Sequence, residues 1–221
     1  MNTKLILDFL IELSRNNNVD WMHAHKSLCD EARGEFNEIV QELINRLTLI
    51  DKSLLGLSPK ECVFRLPRDT RFSLDKQPYK NHFGAYIAPG GKKSIKAGYY
   101  LHIQPGDQSL IAAGVHCLPN DALKVVRQEI ESEGETLDRL LKDKKFKENF
   151  LFEGDSLKTM PRDFKAGGKF DKYVKMKNFD IFKSYEDSAV IQSGTYVDEV
   201  FEKFQLVKPI NDFFNEALYN Y

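Results

Sequence analysis

Four short runs rich in β-forming residues limit what this chain can become: CVFRL (62–66), HFGAYIAP (82–89), GYYLHIQP (98–105) and SLIAAGVH (109–116). Gly, Pro and charged residues separate them, and the gaps between the last three are too short to hold a crossover helix. Neighbouring strands joined in that way run antiparallel. GGKKS and PGDQ read as the turns. NFDIFKSYE (178–186) alternates apolar and polar residues and predicts a further strand.

Helical spacing accounts for most of the rest. Leu5, Ile6, Phe9, Leu10 and Leu13 form one apolar stripe that stops at the turn-favouring Asn16-Asn17-Asn18. Asp20 fits an N-cap for a second helix beginning at Trp21, whose later stripe is Phe36, Ile39, Val40, Leu43, Ile44 and Leu47. Pro119-Asn120 opens a third, carrying Leu123, Val126, Arg127 and Ile130, and another amphipathic piece covers 135–150. Residues 153–172 hold Gly154, Pro161, Gly167 and Gly168 and read as loop and short turns. Val197, Val200, Phe201 and Phe204 outline a helix that Pro209 should end, with a last one through Ile210, Phe213, Phe214, Ala217 and Leu218. Strands in one run and helices in others predict an α+β fold. Its largely antiparallel sheet takes strands from about 60–116 plus one near 178–186, packed against N- and C-terminal helices. At 221 residues and 42% hydrophobic, the chain is expected to form a single domain, 1–221.

The 32 basic and 33 acidic residues nearly cancel. A neutral surface argues against wholesale attraction to nucleic acid or anionic membrane, while leaving room for a local basic patch. Cys29, Cys62 and Cys117 form no CxxC pair, and the five histidines are scattered without an HExxH, so no metal site is expected. Free, buried thiols suit a reducing compartment. MNTKLILDFLIEL is interrupted by Asp8 and Glu12, has no basic leader, and no apolar run is long enough to cross a bilayer. These features predict a cytoplasmic protein. They are silent on oligomeric state.

The local exception to neutrality is the stretch from Cys62 to Lys93. It holds Arg65, Arg68, Arg71, Lys76, Lys80, Lys92 and Lys93 against Asp69 and Asp75, an excess of five positive charges. Pro67 and Pro78 bracket the segment RDTRFSLDKQPYK and deny it a helix. Unstructured connections of about 12–15 residues are uncommon and often functional. Arg forks bind carboxylate or phosphate oxygens in pairs, Lys adds a mobile charge, and Tyr79 can stack or donate its hydroxyl. Arg65, Arg68, Arg71, Lys76, Tyr79 and Lys80 are therefore candidate ligands for a small anion. Arg127 and Lys177 would extend the patch if the fold brought them near. The competing reading is a structural brace, with Asp69 paired to Arg71 or Arg68, Asp75 to Lys80, and Phe72 and Pro78 pinned to the core. Ser73-Leu74-Asp75-Lys76 matches SxxK, but Pro78 cuts short the helix that motif needs, and neither SDN nor KTG occurs.

His102 alternates with Tyr100 and Gln104 on one face of GYYLHIQ. It is the best general-base candidate, with Asp69 beside the arginines as the other. His23 and His25, two apart on a helix, cannot easily share a ligand. His82 and His116 lie at strand ends.

These residues carry a resemblance. The pattern FR…RD.RFS.DK.PYK, here Phe64, Arg65, Arg68, Asp69, Arg71, Phe72, Ser73, Asp75, Lys76, Pro78, Tyr79 and Lys80, resembles the most specific motif of a conserved bacterial and fungal family, domain of unknown function 2461. The N-terminal Phe9, Leu10, Leu13, Asn16, Asn17, Trp21, His25 and Lys26 are similar to its opening signature. Gly114, Pro119, Leu123, Arg127, Ile130, Lys175, Lys177 and Phe179 are similar to later pieces. His116, where an aromatic is common, and Asp163, where glycine is frequent, depart from it. The resemblance implies no activity, cofactor or catalytic residue. Three roles remain open: an anion-binding domain for phosphate, nucleotide or carboxylate; an enzyme on a phosphorylated or nucleotide substrate; or a nucleic-acid or protein interaction module with the loop as a brace.

Overall fold

The computed structural model describes residues 1–221, the side chain of Ser193 excepted. Nine α-helices and five strands make an α+β fold whose sheet is antiparallel, in the order β1-β2-β3-β5-β4. The strands are β1 (Phe83–Ile87), β2 (Gly98–Ile103), β3 (Ser109–Val115), β4 (Leu151–Glu153) and β5 (Phe179–Tyr185). No helix among the described residues is long and apolar enough to cross a membrane.

Contacts gather the chain into two compact units. Met1–Lys92, Tyr100–Ile111 and Ser184–Glu202 form the first. Its helices α1 (Thr3–Arg15) and α3 (Lys26–Ile50) pack on each other, burying Phe9 and Phe36 against Phe83 of β1 at ring distances of 6.0 and 5.3 Å. The short helix α2 (Val19–Ala24) is capped by Asn18, whose side chain accepts from the Trp21 N–H at 2.8 Å. Asp20, the expected cap, sits instead in the first turn, where its charge suits the helix dipole. The anticipated single helix from Trp21 breaks at His25, which stacks on Trp21 at 4.2 Å and separates α2 from α3.

CVFRL is not a regular strand. Pro59 starts a turn of helix, α4 (Pro59–Cys62), and Glu61 accepts from the Ser58 N–H to complete a capping box. Only Val63 then makes a lone bridge, to Ala85. Local capping thus overrides β-propensity here. Of the thiols expected to be buried, Cys62 is, Cys29 is half-buried, and Cys117 is exposed in a positive-φ turn after β3.

Lys93–Tyr99, Ala112–Lys183 and Lys203–Tyr221 form the second unit. Here α5 (Asn120–Lys142) packs on α6 (Lys144–Asn149) and α7 (Asp171–Val174). Strand β4, between the amphipathic piece at 135–150 and the loop expected from 153, pairs antiparallel with β5, Phe152 opposite Ile181. Helix α8 (Asp187–Ile191), in the first unit, precedes α9 (Ser193–Ala217), which runs straight through Pro209 rather than stopping before it. The missing hydrogen bond costs about 3 kcal/mol. It is offset because Val207, Ile210 and Phe214, on both sides of the proline, are all buried.

That helix also bolts onto the strands. The Asn211 side chain, 1% exposed, donates to the Gly98 carbonyl and accepts from the Gly114 N–H, both at 2.9 Å. One turn later, Asn215 does the same to both backbone groups of Ala97 at 2.8 and 3.0 Å. Gly114, near the end of β3, has φ +91, and a Cβ there would lie 2.1 Å from the Phe179 carbonyl oxygen, so only glycine fits this point of the strand. Replacing Asn211 with leucine leaves a strand N–H and a carbonyl buried without partners. Asn211→Leu should lose roughly 2–4 kcal/mol in denaturant unfolding; a loss under about 0.5 kcal/mol would mean water reaches those groups.

Candidate functional site

The charged loop of the first unit is a hairpin with an open tip. At its base Pro67 bridges Tyr79, the Arg68 N–H donates to the Pro78 carbonyl at 2.8 Å, and the Lys80 N–H donates to Leu66 at 3.0 Å. Pro67 is tolerated because its nitrogen lies on the side facing away from this ladder. The outward backbone groups of Tyr79 are both taken by one side chain. Asn17 Nδ2 donates to the Tyr79 carbonyl at 2.9 Å, and Asn17 Oδ1 accepts from its N–H at 3.1 Å.

The tip is ion-paired. Asp69 accepts from Nε and an Nη of Arg71 at 3.0 and 2.7 Å, and the Arg71 guanidinium holds that carboxyl below the usual carboxylate range. Asp75 pairs with Arg68, not with Lys80. Lys76 donates to the Thr70 carbonyl at 3.0 Å. Phe72 does not pin the loop to the core: it and Leu74 are 95% and 102% exposed. The two brackets of arginine and aspartate shape the tip without apolar support.

The base is different. Lys80 is half-buried and makes no ion pair among the described residues; its ammonium lies 5.5 Å from the centre of the Phe64 ring. Burial lowers its pKa, and the nearby Arg65 and Arg68 charges lower it further. The Arg65 side chain is exposed and has no hydrogen-bond or carboxylate partner among the described residues. The charges of Arg65 and Arg68 both reach Lys80, and that of Arg65 also reaches Asp69.

Beside them, β1 and β2 present a polar face. Tyr99, Leu101 and Ile103 are buried inward, so Tyr100, His102 and Gln104 turn outward and are half-buried. The phenol of Tyr100 lies across β1 over Gly84, where a Cβ would sit 2.8 Å from its oxygen. Burial pushes that phenol up to about 12, so it is a hydrogen-bond donor at neutral pH. It donates to His102 Nδ1 at 3.0 Å, and His102 Nε2 meets Gln104 Oε1 at 2.9 Å. Both nitrogens of the ring that best suited a general base are thus engaged, and Asp69 is committed to Arg71.

His82, whose position at a strand end gave it no role, stacks on His102 with ring centres 4.2 Å apart. Burial, His102, Lys80 and Arg68 together push it down to about 4. Its Nδ1 points toward Asn81 Oδ1 at 3.5 Å, and its Nε2 has no partner among the described residues. The available signal was position: it directly precedes β1, whose first residue is Phe83.

Arg127 and Lys177 lie in the second unit. Arg127 is 8% exposed and donates to the Met176 carbonyl at 2.8 Å, so it supports the turn before β5. The same unit holds an open cleft of about 760 Å³ whose lining sets three carboxylates, Glu153, Asp155 and Asp180, against one cation, Lys172. His116 binds Asp180 at 2.9 Å. Among the described residues no group of three His, Cys, Asp or Glu side chains is placed to hold a metal ion.

A family model described as conserved hypothetical protein (DUF2461) matches residues 5–213. No curated protein and no solved structure matched the chain.

The His82 ring ties the site to acid stability. It takes up a proton near pH 4 when folded, against about 6.5 when exposed. Between those values the unfolded chain binds more protons, so stability falls as pH drops from about 6.5 and levels off below about 4. His82→Gln should flatten that fall, measured as denaturation midpoints across the window. An unchanged slope would show that the ring is freely hydrated.

Proposed function

The chain belongs to the conserved hypothetical family DUF2461, and we infer that the base of its charged loop binds a small anion of the phosphate, nucleotide or carboxylate kind. The observation that carries this is Lys80, half-buried beside the Phe64 ring and without a carboxylate partner among the described residues, its pKa lowered by burial first and by the Arg65 and Arg68 charges second. Like charges gathered at a partly desolvated point repel one another, and an anion among them turns that cost into attraction. Arg65, with no partner, supplies a free guanidinium fork, and Lys80 a charge fixed over Phe64. Arg68 contributes the donors that Asp75 leaves free. The rings of Phe64 and Tyr100, their centres 6.4 Å apart, offer an apolar border on which the planar base of a nucleotide could rest.

The tip residues have another task in this reading. Arg71 and Asp69 satisfy each other, so Arg71 braces the loop and is not a ligand. Lys76 holds the Thr70 carbonyl and serves the same end. Tyr79 acts through its backbone, which fixes the angle at which Lys80 leaves the hairpin.

Thermal unfolding with inorganic phosphate, adenosine monophosphate and citrate separates the three ligand classes. The best ligand at 100 times its Kd should add about 2.7 kcal/mol, or roughly 5–10 °C in Tm for a chain of this size. Lys80→Met and Arg65→Ala should abolish the shift, and Arg71→Ala should keep it. An equal shift in Lys80→Met, or none with any of the three anions in the wild type, would overturn the reading.

A further inference from the structure

Building on the anion site inferred above, we propose that His82 Nε2 accepts a phosphoryl group from a small phosphorylated compound held by Lys80, Arg65 and Arg68, forming a phosphohistidine that water hydrolyses. The argument starts from hydrogen-bond roles. Gln104 donates its amide to Gln108 Oε1, which turns its own oxygen toward His102. That oxygen only accepts, so His102 carries its proton on Nε2 and receives the Tyr100 hydroxyl on Nδ1. His102 is thereby a fixed, neutral ring with neither nitrogen free to react.

His82 lies flat on that ring, with 28° between the planes. Stacking holds the ring by its face and leaves its edge open. The Asn81 oxygen near Nδ1 favours a proton there, which puts the lone pair on the unpartnered Nε2. Lys80 and Arg68 lie close enough for their charges to act on the His82 ring.

A site that only holds an anion gains from a charged imidazole. This one keeps His82 neutral by burying it beside cations, which suits a nucleophile and not a counter-ion. The same weak basicity makes the imidazole a ready leaving group in the second step.

In the first step the Nε2 lone pair forms the N–P bond, and the P–O bond to the leaving oxygen breaks with its electron pair. From an acyl phosphate the leaving group is a carboxylate and needs no proton. From an alkyl phosphate the Lys80 ammonium, its pKa lowered by burial and its cationic neighbours, is placed to protonate the alkoxide. Water then attacks phosphorus, the N–P bond breaks and the imidazole recovers its lone pair; one water proton stays on the inorganic phosphate, and the other goes to the phosphate after an acyl phosphate or back to the Lys80 amine after an alkyl phosphate. The cations neutralise the charge on the transferring oxygens throughout.

The test uses the full chain with acetyl phosphate and, separately, phosphoramidate, followed by tandem mass spectrometry under basic conditions. One acid-labile, base-stable phosphoryl group should appear on His82. His82→Gln and His82→Asn should lose it while still being stabilised by inorganic phosphate, which also reports that they fold. Lys80→Met should lose both label and stabilisation. If phosphate stabilises the wild type but no label forms, or the label sits on another residue, the phosphoryl-transfer proposal fails and the anion site stands. If phosphate fails to stabilise the wild type, the anion site fails with it.

Discussion

Burying Tyr99, Leu101 and Ile103 in β2 forces Tyr100, His102 and Gln104 onto the opposite face, and everything proposed for the protein depends on that alternation. A slip of one residue would send the histidine inward and a leucine out. Two features pin the strand against such a slip. The Asn211 amide holds the Gly98 carbonyl where the strand begins, and Gly84 leaves space on β1 for the Tyr100 phenol. The polar chain Tyr100–His102–Gln104–Gln108 then follows from strand period and two good hydrogen-bond partners for the imidazole.

The charged loop resolves into two parts with opposite electrostatics. At the tip, carboxylates stand beside the guanidinium groups and satisfy them; exposed pairs of this kind contribute little to stability and serve mainly to hold a shape. At the base, Arg65 and Lys80 have no such partners among the described residues, and Lys80 sits over the Phe64 ring. The two readings of the loop, a ligand site or an ion-paired brace, thus fall on different residues: ion pairs and a backbone contact hold Asp69 to Lys76, while the proposed anion site draws on the cations flanking that stretch.

Much of the fold was legible because burial is periodic. The outward set of β2, the stripe of α1 and the alternation of β5 all follow from counting apolar residues in twos or in threes and fours. What escaped was decided by tertiary context. CVFRL looks like a strand, yet a proline and a capping glutamate make its start helical. Pro209 looks like a stop, yet buried neighbours carry α9 past it. Phe72 looks like an anchor and stands in water. At the site, sequence identified His102 by its face but could not reveal that both its nitrogens are occupied. The open nitrogen belongs to His82, which only becomes visible when β1 is laid beside β2.

Asn17 grips both outward backbone groups of Tyr79, the one residue of the loop's base that would otherwise offer a free donor and acceptor to a passing chain. A single carboxamide thereby stands in for a neighbouring strand and closes an edge that could recruit another molecule by strand addition. The asparagine run between the first two helices is therefore more than a spacer. It anchors the hairpin's root, so that the two bare hydrophobic side chains of the tip stand over a ladder whose outward groups at Tyr79 are already satisfied.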